Sequence, residues 1–117
     1  MIVEDELVIA LELESLLKGF GCIVLDPVPS ISVALRVLAG ESPDVAVLDV
    51  NLQGERVTPV AAVLRERGIP FVLVTGYGHE RLQEEPLQGA MHLRKPVDGD
   101  QLGRALEEVL VRAGRDF

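Results

Sequence analysis

Aromatic residues make up only 3% of this chain, with no tryptophan and one tyrosine. Neither a base-stacking platform nor an aromatic cage for a cationic ligand is easily built from so few rings. Cysteine occurs once, which excludes an internal disulfide and a cysteine-based zinc site. The apolar neighbours Ile23-Val24-Leu25 predict Cys22 to be a small core residue on a buried strand. Long hydrophobic runs are also missing: no uncharged stretch approaches the roughly 18 residues of a membrane span, and no basic segment leads into an apolar one at the N-terminus. Positive charge is scarce, 11 Lys and Arg against 19 Asp and Glu, for a formal net charge of -8 that repels nucleic acid and anionic lipid. The expectation is a cytoplasmic protein that engages neither nucleic acid nor membrane directly.

What is present suffices for one core. At 117 residues and 48% hydrophobic, the chain predicts a single domain over 1–117. Apolar positions Leu7, Leu11, Leu13 or Leu16, Leu17 and Phe20 predict a first helix over about 6–20, stopped by Gly19 and Gly21. A short branched run, 22–25, reads as a strand closed by Asp26-Pro27. Ser30 caps a second helix with Val33, Ala34, Val37 and Leu38 inward and Gly40 at its end. Val45 to Leu48 is apolar on both alternating sets, as in a central parallel strand covered on both faces. A third helix around Val60 to Leu64 accommodates Pro59 in its first turn.

Phe71 to Thr75 and Ala90 to Arg94 complete the strands, with only a short, weakly held helix expected within 76–89. Leu102, Ala105, Leu106, Val109 and Leu110 mark the apolar stripe of a final helix. Alternating strands and helices predict an α/β fold, a flavodoxin-like (βα)5 doubly wound parallel five-stranded sheet of order 2-1-3-4-5. Met1-Ile2-Val3 is an unusually short lead into a first strand, as in a chain whose beginning has been shortened.

Ligands of open α/β sheets collect outside the carboxyl ends of the strands. Here those ends carry Glu4 and Asp5, Asp49, Thr75 and Lys95. Clustered carboxylates remain ionised at neutral pH only with positive charge among them, and Mg2+ is the economical source because it takes oxygen ligands and keeps several waters. Asp5 and Asp49 fit as its ligands, with Glu4 as a direct or water-mediated helper and the backbone carbonyl of Asn51 as a further donor. A carboxylate beside a metal can act as a nucleophile toward phosphorus, and Asp49, closing the buried strand, is the fixed candidate. Lys95 and the Thr75 hydroxyl would then neutralise phosphoryl oxygens.

The segments Ile2-Val3-Glu4-Asp5-Glu6, Val47-Leu48-Asp49-Val50-Asn51-Leu52, Val74-Thr75-Gly76 and Lys95-Pro96 resemble the signature segments of the response-regulator receiver domain of two-component signalling. Each is weak alone, but four in order over essentially the whole chain are specific. The resemblance implies that Asp49 is the phospho-acceptor, Glu4 and Asp5 the acidic metal pocket, Thr75 the switch hydroxyl and Lys95 the phosphate-contacting lysine. It also implies a histidine kinase or histidine phosphotransfer protein as phosphodonor. With no output module after Arg112, the signal is expected to leave through a downstream protein partner, from a monomer or weak dimer.

Gly68-Ile69-Pro70-Phe71, Val74-Thr75-Gly76-Tyr77-Gly78 and Gly54-Glu55 are similar to the stand-alone FATGUY receivers, although Leu73-Val74 replaces their Phe-Ala. Many receivers place an aromatic switch residue where this chain has His92, three positions before the lysine; Tyr77 is the other candidate for a mobile ring. His79 and the glutamates Glu12, Glu14, Glu84 and Glu85 read as solvated positions. Two other functions remain open at this level. One is a receiver-like adaptor that binds partners constitutively; the other is a small aspartyl-phosphate phosphatase, which would generally want a second acid/base carboxylate where Asn51 stands.

Overall fold

The computed structural model describes residues 1–76 and 84–115. Four parallel strands form its main sheet in the order β1 (Ile2–Val3), β2 (Ala46–Asp49), β5 (Phe71–Thr75), β6 (Met91–Arg94). A separate antiparallel hairpin, β3 (Asn51–Leu52) with β4 (Glu55–Arg56), follows the central strand. The helices are α1 (Leu7–Gly19), α2 (Ile31–Gly40), α3 (Thr58–Glu66) and α4 (Gly99–Arg112), and Glu85–Leu87 forms a 3-10 turn.

Strand alternation divides the core in two. Val3, Ala46, Leu48, Phe71 and Leu73 join Ala34 and Leu38 of α2 and Val60, Ala61 and Leu64 of α3. Ile2, Val47, Val72 and Val74 point the other way, onto Leu13 and Leu17 of α1 and Leu102, Ala105, Leu106 and Val109 of α4. Side chains of period two in the strands thus meet stripes of period 3.6 in the helices, giving helices on both faces. Ser30 caps α2 by accepting from the Val33 N–H, and Asp98 caps α4 by accepting from the Gln101 N–H.

The expected order is present with its first edge much reduced. Residues 22–25 form no strand; that edge is a single parallel bridge, Val3 to Val28, made by Val28 N–H to the Ile2 carbonyl at 2.9 Å and Glu4 N–H to the Val28 carbonyl at 3.0 Å. Ile2 and Val3 stand level with Val28, past the apolar run, so the run has no ladder to join. Cys22 is accordingly half-buried beside the core rather than on a buried strand, and Ile23 is 98% exposed. Of the apolar positions that predict the first helix, Leu13 and Leu17 are buried, together with Ala10, whereas Leu7 and Leu11 are exposed.

Candidate functional site

Among the described residues, Glu4, Asp49 and Thr75 are the polar ones buried in this apolar interior, 2%, 5% and 4% exposed. Their placement follows from register. Val3 pairs with Leu48, Asp49 with Val74, and Thr75 with Arg94, so the carboxyl ends of all four main strands lie together. Lys95 follows β6 directly; its N–H donates to the Thr75 carbonyl at 2.8 Å, and its peptide bond to Pro96 is cis.

The Lys95 ammonium lies 2.9 Å from Glu4 Oε1 and 3.3 Å from Asp49 Oδ2. The contact with Glu4 Oε1 compensates charge without the angles of a hydrogen bond, leaving that buried oxygen with no directional donor. Glu4 Oε2 accepts from the Glu6 N–H at 3.2 Å, and Asp49 Oδ1 from the Asn51 N–H at 3.3 Å. Asp5, half-buried, accepts from the Gln53 N–H at 3.1 Å, tying the hairpin tip to the pocket. One carboxylate oxygen from each of Glu4, Asp5 and Asp49 lies within 4.8 Å of the others.

One ammonium does not neutralise this set. Burial, followed by the hydrogen bonding and charge of Glu4, pushes the Asp49 carboxyl up to about 7, and Lys95 offsets this only in part. Burial also opposes the Lys95 charge, but its close contact with Glu4 Oε1 and the charges of Asp49 and Glu4 outweigh it and raise its pKa. An all-oxygen donor set with a shortage of positive charge and an oxygen lacking a donor fits a hard divalent cation such as Mg2+.

Other residues named from sequence lie at the margins. Thr75 Oγ1 donates to the Leu93 carbonyl at 3.4 Å, toward β6. Asn51 brings its backbone N–H to Asp49 while the residue itself is exposed on the hairpin. His92 is exposed on β6 opposite Leu73. Tyr77 and His79 lie outside the described residues. A cleft of about 310 Å3 between α1 and the Lys95-Pro96 turn, lined in part by Glu6, Ile9 and Gly76, opens beside the site.

The structure adds a pair that sequence reasoning passed over. Glu84, read as a solvated position, makes a two-pronged ion pair with Arg56, Nε to Oε1 at 2.9 Å and Nη2 to Oε2 at 3.0 Å. The Arg56 hydrogen bond holds the Glu84 carboxyl below its ordinary value. Arg56 Nη1 also lies 3.5 Å from Asn51 Oδ1. An Arg so soon after β2 was the one available sequence signal.

The chain belongs to the response regulator receiver domain family, whose model matches residues 1–107. Among solved structures it is similar to SdrG from Sphingomonas melonis, with 38% identity, 93% of this chain and 92% of that one covered and a TM-score of 0.81. It is also similar to a response regulator receiver protein from Sinorhizobium medicae, with 28% identity, 96% and 93% covered and a TM-score of 0.84. A CheY-like receiver domain from Methylobacillus flagellatus matches at 27% identity, 92% and 94% covered, with a TM-score of 0.78. Comparison with curated proteins finds no match. The fold and family are therefore those of receivers of two-component response regulators. No helix among the described residues is long and apolar enough to cross a membrane.

Proposed function

We propose that residues 1–117 form one receiver domain of a cytoplasmic response regulator that accepts a phosphoryl group on Asp49. The observation that carries this reading is the convergence of Glu4, Asp5, Asp49 and Lys95 at the carboxyl edge of the sheet. An ionised Asp49 oxygen attacks the phosphorus of a phosphohistidine on a histidine kinase or phosphotransfer protein. As the P–O bond forms the P–N bond breaks, and the departing imidazole takes up a proton.

Glu4, Asp5, Asp49 and the Asn51 carbonyl are the residues that would hold Mg2+. When bound, the ion supplies positive charge to the carboxylates and the phosphoryl oxygens. Lys95, already paired with Asp49, meets a second phosphoryl oxygen. The Thr75 hydroxyl, leaving the Leu93 carbonyl, meets the third.

Dephosphorylation is attack by water on the same phosphorus, with release of inorganic phosphate. Output leaves by protein contact, to which the exposed Leu7, Val8 and Leu11 of α1 offer an apolar patch beside the site. Thr75, with Tyr77 and His92 as the candidate partners of its movement, would report phosphorylation, in a monomer or weak dimer. The Thr75-Gly76-Tyr77 stretch supports placing the chain with FATGUY-type stand-alone receivers.

The test is incubation with labelled acetyl phosphate and Mg2+. Label on the native chain and none on Asp49→Ala is expected; equal labelling of the two would sink the assignment.

A further inference from the structure

The hairpin that follows Asp49 curls back over the site. Gln53 and Gly54 turn it with φ of 52° and 85°, the two successive positive values of a tight two-residue turn, and Asn51 pairs with Arg56 across it. The Val57 N–H donates to the Val50 carbonyl at 2.9 Å, closing the base, while the Gln53 N–H holds the tip to Asp5. Arg56 is thereby set beside Asn51, the residue whose N–H already contacts Asp49. Its guanidinium fork is engaged by both oxygens of Glu84, with the two side chains 32% and 35% exposed.

We propose that Arg56 is shared between two anions, Glu84 in the resting protein and the phosphoryl group on Asp49 in the phosphorylated one, so that phosphorylation unlatches Glu84. This inference rests on the reading of Asp49 as phospho-acceptor. Two features support the exchange. The first is charge: Glu4, Asp5 and a phosphoryl dianion carry about four negative charges, and a divalent cation with Lys95 supplies about three positive ones. Arg56 is the guanidinium that the hairpin brings to the residue next to this imbalance. The second is geometry, because a guanidinium fork suits phosphate oxygens as well as it suits a carboxylate, and the phosphoryl carries the larger charge.

The consequence is local. The far side of the 3-10 turn is held independently, since Arg65 donates to the Pro86 carbonyl at 2.6 Å and to the Gln88 carbonyl at 2.8 Å, and Leu87 is fully buried. Among the described residues, the Glu84 end of the turn is held by Arg56 of the hairpin that follows Asp49. Release of that end converts charge arriving at Asp49 into a change at the surface beyond β5, a local electrostatic event with a distant readout.

A tie that only braces two loops and a latch that is exchanged make different predictions. If the pair merely braces, Arg56→Ala and Glu84→Gln remove the same contact and shift phosphorylation in the same direction. If Arg56 is shared, Glu84→Gln removes the competing carboxylate and favours the phosphoryl group, whereas Arg56→Ala withdraws the guanidinium. The experiment measures the fraction of acyl phosphate at a fixed acetyl phosphate and Mg2+ concentration, and its decay after acetyl phosphate is removed. Native protein is compared with Asp49→Asn, Arg56→Ala, Arg56→Lys and Glu84→Gln.

The result expected is a longer phosphoryl lifetime in Glu84→Gln and a shorter one in Arg56→Ala, each by about threefold for a partly exposed pair. Arg56→Lys, which keeps the charge and loses the fork, should fall between Arg56→Ala and native. In nitrogen-15 NMR the Arg56 Nε–H resonance of the native chain should move on phosphorylation and stay fixed in Asp49→Asn. Shifts of the same sign in Arg56→Ala and Glu84→Gln, or an Arg56 resonance that does not move, would overturn the latch while leaving the acceptor assignment standing. Absence of label on the native chain would overturn both.

Discussion

Lys95 and Glu4 come from opposite halves of the chain, yet their charged atoms lie 2.9 Å apart with the Glu4 side chain fully buried and that of Lys95 14% exposed. Asp49 closes the triangle at 3.3 Å from the same ammonium. Removing one partner of a buried ion pair leaves the others uncompensated, which costs more than the pair itself contributes. Lys95→Met is expected to lower stability by about 2–3 kcal/mol, below the range for a fully buried pair because the rim is open. Adding Glu4→Gln should recover part of the loss. Urea denaturation of the single and double variants checks both statements.

Asp49 sets a pH dependence of the opposite sense from an ordinary paired carboxylate. Its folded pKa is raised from 3.8 to about 7 by burial and by Glu4, so between these values the folded state binds more protons than the unfolded one. Stability therefore falls as pH rises through that window, and the penalty is full above it. Asp49→Asn is expected to be more stable than native by about 1–2 kcal/mol at pH 8, after allowing for screening at the rim. As pH falls toward the unfolded value of 3.8, the advantage should shrink, and it should vanish once the carboxyl is protonated in both states. Thermal melts of the two proteins between pH 4 and 8 would show it, and a constant difference across that range would refute it.

Mg2+ should act through the same carboxyl. Binding requires an ionised Asp49, so the ion should release a proton near neutrality and bind more weakly as pH falls below about 7. At a concentration of about 100 times its dissociation constant, the expected gain in stability is about 2.7 kcal/mol. Asp5→Asn should abolish most of it, since Asp5 offers an oxygen of the cluster and sits at its more exposed edge. Melting curves across a Mg2+ titration, with Ca2+ as comparison, provide the measurement.

The hairpin offers a prediction of gain. Gln53 holds φ at 52° just before Gly54, a left-handed conformation that costs an ordinary L-residue roughly 1–2 kcal/mol and that Asn tolerates better. Gln53→Asn keeps the backbone N–H that Asp5 accepts, and it should raise the melting temperature by a few degrees. A lower melting temperature would show that the Gln53 side chain contributes more than its backbone costs.

Much of the fold was legible because local rules and tertiary demands agreed. The capping Ser30, the buried stripe from Leu102 to Leu110 and the doubly apolar run before Asp49 each carried a period or a polar stop that only one element satisfies. Where they disagreed, the sequence misled. Residues 22–25 have strand composition, but composition does not supply a paired backbone, and the contact moved to Val28. Leu7, Leu11, Leu13 and Leu17 all follow helical spacing, but only the side of α1 that carries Leu13 and Leu17 packs against the sheet, and Leu7 and Leu11 are left exposed.

The same division runs through the site. The sequence by itself determined which residues stand at the carboxyl ends of the strands, because apolar alternation and its abrupt polar termini are local properties of Ile2 to Asp5, Val45 to Asp49 and Phe71 to Thr75. Only the tertiary structure decided that Lys95 divides its charge between Glu4 and Asp49, that Asp49 resists ionisation, and that Arg56 grips Glu84. Those outcomes depend on strand register and on the hairpin's fold-back, which bring distant charges within a few ångströms. At that range burial and Coulomb interaction outweigh anything a residue's neighbours in sequence can specify.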